Sequence, residues 1–276
     1  MAKIVGGFTV PHAPLMCGAP DAPPVEQRTR CWDAFDSVTK RLKEDAVDTV
    51  IAIGGDHYTV FGPQCLPAAL IGVGDVAGPA EPWLKTPKVP IANNAPLAQH
   101  IMRYGRRNQV DWAVSKSLTL DHAIYIPYHY GVRPVPGLRM IPIYLATGVE
   151  PLIDSRRCYE IGRSIAAAVH LWEGDERVAV FGTGGGAHWP GTADMQRLDP
   201  AWDRALLDRL EAGDAEALIA MSDEQVFAEG GNGGWELKNW LCMLGCLGNA
   251  RGRIIAYEPV YEWMASCAYV EMQIAA

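Results

Sequence analysis

No run of roughly twenty apolar residues occurs in the 276-residue sequence, so nothing in it reads as a membrane-spanning helix. Positive charge is also scarce. The 24 Lys and Arg stand against 32 Asp and Glu, a net of −8, which leaves no electrostatic footprint for a nucleic-acid backbone or an anionic membrane. The seven cysteines are odd in number and scattered, with no CxxC pair, and the opening MAKIVGGFTV carries no signal peptide. Both features read as a cytoplasmic protein with reduced thiols. Cys242 and Cys246 lie one helical turn apart and could ligate a metal, but packing thiols on an apolar helix face is the better reading. Several enzyme signatures are missing too. There is no GxSxG elbow and no HExxH, and the glycine run at 182–186 lacks the GxGxxG spacing of a dinucleotide site.

What is present is a globular composition, 49% apolar, 20% charged and 9% aromatic, with a mean hydropathy of −0.01. The 28 glycines and 20 prolines fall in no low-complexity tract and imply many tight turns. Without an internal repeat or a linker of shifted composition, residues 1–276 read as one domain. Short β-branched runs alternate with stretches of 3.6-residue period, the pattern of an α/β layer fold. Strands are expected at 3–10, 47–53, 68–73, 111–114, 140–145 and 177–181, with helices at 25–46, 96–107 and 156–172. After Pro200 come three helical segments and strands at 253–257 and 267–274.

Three of these strands run into turns of glycine or proline that carry a histidine: Pro11-His12-Ala13-Pro14, Gly54-Gly55-Asp56-His57, and Gly182-Thr183-Gly184-Gly185-Gly186-Ala187-His188. Ligands of open α/β sheets bind outside the carboxyl ends of strands, so three histidines so placed can converge on one site. Two imidazoles and one carboxylate would hold a metal with an open face. The best candidate carboxylate is Glu236, in the glycine-rich stretch Gly230-Gly231-Asn232-Gly233-Gly234-Trp235-Glu236, which reads as a loop opening a helix. A plain helix-dipole role is the competing reading for Glu236. Asp56 could orient its neighbour His57 by hydrogen bonding, or be a solvated loop residue.

These segments, with Phe61 and Cys65-Leu66-Pro67, Leu120-Asp121-His122 with Pro127, and Gly234-Trp235-Glu236-Leu237 with Trp240-Leu241, resemble in order and separation the class III extradiol ring-cleaving dioxygenases. That is the family of the catalytic β subunit of protocatechuate 4,5-dioxygenase. The resemblance covers nearly the whole chain. It implies an α/β/α sandwich with a central mixed sheet, and Fe(II) held by His12, His57 and Glu236. It also implies O2 as co-substrate, His188 as acid and base, and His122 as a second catalytic histidine contacting substrate or oxygen.

The implied substrate is a small dihydroxylated aromatic, or a nitrogen analogue such as an aminophenol or a dihydroxypyridine. Tyr125, Tyr128, His129, Tyr130 and Trp189 are candidates for an aromatic wall, and Lys116, Arg133 and Lys238 for meeting a substrate carboxylate; core packing and solvated charge are the competing readings. Some relatives cover their site with a small helical subunit or a C-terminal fusion. With the sequence ending at Ala276, a separate small helical subunit, the chain's own loops or self-association as a homo-oligomer is expected to do so. Two alternatives carry different chemistry: a zinc-dependent hydrolase on the same fold, and a metal-free binding or structural paralogue.

Overall fold

The computed structural model describes residues 1–274. In chain order the elements are β1 (Lys3–Val10), α1 (Leu15–Gly18), α2 (Val25–Glu44), β2 (Thr49–Gly55), β3 (Ala69–Gly78), β4 (Val89–Ile91), α3 (Ala95–Arg107) and β5 (Ala113–Thr119). There follow α4 (His122–Pro127), which runs into a π-helical turn at Tyr128–Val132, then β6 (Arg139–Leu145), α5 (Ser155–His170), β7 (Arg177–Thr183), α6 (Pro200–Ala212) and α7 (Ala215–Ile219). The chain continues with α8 (Asp223–Gly234), α9 (Leu237–Leu247), β8 (Ala250–Val260) and β9 (Ala265–Ile274).

Among the described residues all nine strands join one sheet, ordered β4-β3-β6-β2-β7-β1-β9-β8, with β5 alongside β3. Its centre, β6-β2-β7-β1, is parallel. Both flanks turn antiparallel, β3 against β6 on one side and β9 against β1 on the other. A parallel centre must be covered on both faces, which is why β2, TVIAIGG, is apolar or small throughout and buried at every position. Side chains alternate between the two faces. Ile51, Ile53, Ile141, Ile143, Val178 and Val180 pack under α3, α5, α6 and α9. Val50, Ala52, Met140, Tyr144, Ala179 and Phe181 pack under α2 and α4. Helix α2 carries Cys31, Ala34, Phe35, Val38 and Leu42 on its buried stripe.

The expected α/β class and central mixed sheet are therefore what the chain adopts. Some boundaries differ. The strand read at 68–73 extends to Gly78, past an irregularity in its pairing with β5 between Gly72 and Asp75. Among the described residues four helices, not three, run from Pro200 onward, because Gly213 in the left-handed conformation and a new cap at Asp214 separate α6 from α7. The glycines at 230–234 are not a loop; they form the end of α8, with a kink at Gly231. Among the described residues, no helix is long and apolar enough to cross a membrane.

Candidate active site

The carboxyl ends of β1, β2 and β7 lie side by side at the centre of the sheet, and the chain leaving each delivers one histidine. His12, just beyond β1, is buried, and its Nδ1 lies 3.0 Å from Thr183 Oγ1 at the end of β7. His57, just beyond β2, has its Nδ1 3.2 Å from Asp121 Oδ2, the same oxygen that accepts the His57 backbone N–H at 3.3 Å. With both Nδ1 atoms engaged, the two Nε2 atoms are turned to a common point. Each lies 3.0 Å from Oε1 of Glu236.

Glu236 stands at the start of α9, but its side chain makes no capping hydrogen bond there. It turns instead into the histidines, and its other oxygen accepts the Gly185 N–H at 3.0 Å. The approach is close enough that a Cβ at Gly184, whose φ is +76°, would stand 1.9 Å from Glu236 Oε2. Glycine is required there. Two neighbours on α9 tighten the same contact: Asn239 Nδ2 donates to Thr183 O at 3.0 Å and Trp240 Nε1 to Gly184 O at 2.8 Å.

Charge is strongly coupled in this cluster. Burial would lower the pKa of His57, but its hydrogen bonds to the Asp121 and Glu236 carboxylates outweigh burial and push it up to about 10. Burial works against the charged form of Glu236, yet His12 and His57 hold its carboxyl well below the usual range. Asp121 is likewise held down, against its burial, by His57, His122 and the Tyr144 hydroxyl, which donates to Asp121 Oδ1 at 2.8 Å.

Two further histidines complete the ring of polar groups. His188 gives Nδ1–H to Gly186 O at 2.8 Å, so its Nε2 carries the free lone pair. Its backbone is clasped by the end of α8: His188 N–H donates to Gly230 O at 3.0 Å and Gly233 N–H to His188 O at 3.1 Å. His122, the first residue of α4, lies with its ring centroid 4.2 Å from that of His57 and 5.7 Å from that of His12. Burial, and then the positive field of His57, lower its pKa despite the Glu81 carboxylate 2.6 Å from its Nδ1.

His12, His57, His122, His188 and Glu236 all line one cavity of about 260 Å3, whose remaining wall is mainly apolar: Trp83, Met195, Trp263, Met264 and Pro14. The sequence matches the family of the catalytic LigB subunit of aromatic ring-opening dioxygenase over residues 6–270. The chain belongs to that family. Its relatives include the 2,3-dihydroxyphenylpropionate/2,3-dihydroxicinnamic acid 1,2-dioxygenases of Photorhabdus laumondii, 23% identical over 95% of each chain, and of a Rhodococcus species. The Rhodococcus enzyme is 26% identical, over 92% of this chain and 93% of its own. The crystal structure of an uncharacterized protein from Escherichia coli K12 shares the fold, with a TM-score of 0.59 and 12% identity over 97% of this chain and 99% of that one. The resemblance read from the ordered motifs, and the reading as a dioxygenase, are borne out.

In this LigB family member several outer residues differ from the sequence reading. Asp56 does not orient His57; its oxygens accept the N–H groups of Val60 at 2.8 Å and Phe61 at 3.2 Å and fold the following turn. Asp121 takes that position, across 64 residues of sequence. Tyr125 and Trp189 are core residues, and Tyr130 stacks against Trp32 and Phe35. None of the expected aromatic wall lines the cavity; Trp83 and Trp263 do. Nor do Lys116, Arg133 or Lys238 line it. Lys238 is buried beside Asp223, with Nζ 2.6 Å from Oδ1. Cys242 and Cys246 are buried free thiols on α9, as packing residues should be. Glu81, which holds His122, carried no motif in the sequence.

Proposed function

We propose that this chain is a non-haem Fe(II) extradiol dioxygenase. Its substrate class is an aromatic or heteroaromatic ring carrying two adjacent hydroxyls, or a hydroxyl and an amine, opened beside those carbons with both atoms of O2 entering the product. The observation that carries the reading is the meeting of two imidazole Nε2 atoms on one buried carboxylate oxygen, each ring fixed from behind, at the floor of a cavity sized for one substituted ring. This donor set fits a divalent metal: His12, His57 and Glu236 would hold it, and a cation there replaces the proton that His57 otherwise keeps. When bound, ferrous iron supplies a shared coordination point for substrate and O2 and a path for charge from ring to oxygen.

The remaining steps fall to the protein. His188, with Nδ1–H committed to Gly186 O, accepts a substrate hydroxyl proton at Nε2 and later returns it. Trp83, Trp263 and the methionines would flank the ring with apolar surface. The names of the relatives support a vicinal-diol substrate.

The test is oxygen uptake by Fe(II)-loaded protein with a panel of 2,3-dihydroxyphenylpropionate, catechols, gallates, aminophenols and pyridinediols, with ring opening followed by absorbance. Uptake stoichiometric with ring opening is expected. His188→Ala should bind iron normally and lose turnover by 10²-fold or more, on the order expected for a general acid–base group. Zinc in the protein as isolated, with no uptake after anaerobic ferrous loading, would favour a hydrolase instead.

A further inference from the structure

We propose that Glu81 is the positioning residue for His122, fixing the tautomer in which Nδ1 carries the hydrogen and Nε2 is left as a hydrogen-bond acceptor toward the cavity. The proposal rests on the ring-cleaving reading above for its catalytic consequence, though not for its structural content. One oxygen of Glu81 takes two bonds from one residue: Oε1 lies 2.6 Å from His122 Nδ1 and accepts the His122 backbone N–H at 3.1 Å. Oε1 already accepts the backbone N–H, so it faces His122 as an acceptor and Nδ1 is the nitrogen that donates. Glu81 is 5% exposed, and among the described residues its second oxygen has no hydrogen-bond partner. A buried carboxyl group is costly to retain, and among the described residues both of its hydrogen bonds are with His122.

The backbone holds Glu81 in that place. Ala80 N–H donates to Leu120 O at 2.7 Å and Leu120 N–H to Ala77 O at 2.8 Å, so the segment before Glu81 is tied to the segment before His122. The single helical turn at Pro82–Leu84 then puts Trp83 in the cavity wall, its ring centroid 6.3 Å from that of His122. One short stretch therefore supplies both the partner behind the catalytic ring and a wall beside it. With its Nδ1–H held on Glu81, His122 presents its Nε2 lone pair as a hydrogen-bond acceptor for bound substrate or oxygen, while His188 takes the substrate proton.

Two measurements test this on the full-length chain. Nitrogen-15 NMR of histidine-labelled, metal-free protein should show His122 as the Nδ1–H tautomer, and Glu81→Ala should convert it to a mixture. In Fe(II)-loaded protein, Glu81→Ala should lower kcat about 10- to 100-fold, the range seen for residues that orient active-site histidines, with iron content and KM little changed. Glu81→Gln, whose amide oxygen still accepts Nδ1–H, should restore the tautomer and part of kcat; it also carries the test if the alanine variant does not fold. In a His122→Ala background, Glu81→Ala should have no further effect beyond about two-fold, because the two residues act as a unit. An unchanged His122 spectrum in Glu81→Ala, or full multiplicative losses in the double variant, would overturn the proposal. If the wild type proves inactive on every substrate, the NMR result still decides the Glu81 assignment and only the ring-cleaving reading fails.

Discussion

Asp121 holds both the backbone N–H and Nδ1 of His57 through one oxygen, while Asp56, the chain neighbour of His57, gives both of its oxygens to Val60 and Phe61. Asp121→Asn should therefore weaken iron binding about 10- to 100-fold, and Asp56→Asn should leave it within about two-fold while lowering stability by about 1 kcal/mol. Anaerobic ferrous titration and urea unfolding separate the two. The same cluster sets a pH dependence. His57 is raised from 6.5 to about 10, so in metal-free protein its contribution to stability is complete below pH 6.5 and is lost as pH rises toward 10. Glu236 is held well below 4.5, so its contribution is present above pH 4.5 and is lost as the solution is acidified through its lowered value. Urea midpoints of chelator-treated protein should accordingly be higher between pH 4.5 and 6.5 than at pH 9, apart from changes elsewhere in the molecule. Iron affinity should move the other way across that upper range, since the metal competes with the His57 proton. At this scale the sequence is readable where a motif sits at a strand end, as for His12, His57 and His188. It is unreadable for Asp121 and Glu81, which act across 64 and 41 residues, and it misleads for Asp56, because the turn after His57 carries that side chain to its own backbone.

Helices α8 and α9 give the site its second side, with the kink at Gly231 between the two residues that grip His188, Gly230 and Gly233, and with Glu236, which reaches His12 and His57, just beyond them. A Cβ at Gly233 would stand 2.2 Å from the His188 ring, so Gly233→Ala should displace His188, cost about 1–3 kcal/mol and lower turnover while iron still binds. Metal content and kinetics on the same preparation check this. The pair that joins the two helices is asymmetric: Lys238 is 1% exposed and Asp223 39%. Asp223→Ala strands a buried ammonium and should destabilise by about 3 kcal/mol, whereas Lys238→Met leaves a carboxylate that water can reach and should fall within about 1 kcal/mol of wild type. Denaturant unfolding of the two single variants gives the comparison. The apolar period that marks α2 and α5 was legible, because each packs one stripe on the sheet. The stretch that joins α8 to α9 reads as a loop because the five positions 230–234 include four glycines, and only their contacts with Trp202, Trp189 and His188 explain why side chains are excluded there.

For the molecule as a whole, burial rises toward the parallel centre of the sheet and falls toward its flanks. Amides of β2 and β7 should exchange slowest with deuterium, and those of β4 and β8, half-buried along much of their length, should exchange first. Comparable rates across all the strands would contradict this gradient. The α/β class follows from the alternation of patterns in the sequence, but the strand order does not, since β1 pairs with β7 and β9 rather than with any strand near it in the chain. That placement bears on how the protein is made. As the chain leaves the ribosome, β1 has no partner until β7 has been synthesised, and His12 has no carboxylate until Glu236 follows 224 residues later. Sheet and site must then close late, so the nascent chain carries an unpaired, apolar first strand through most of its synthesis and depends on what shields it there.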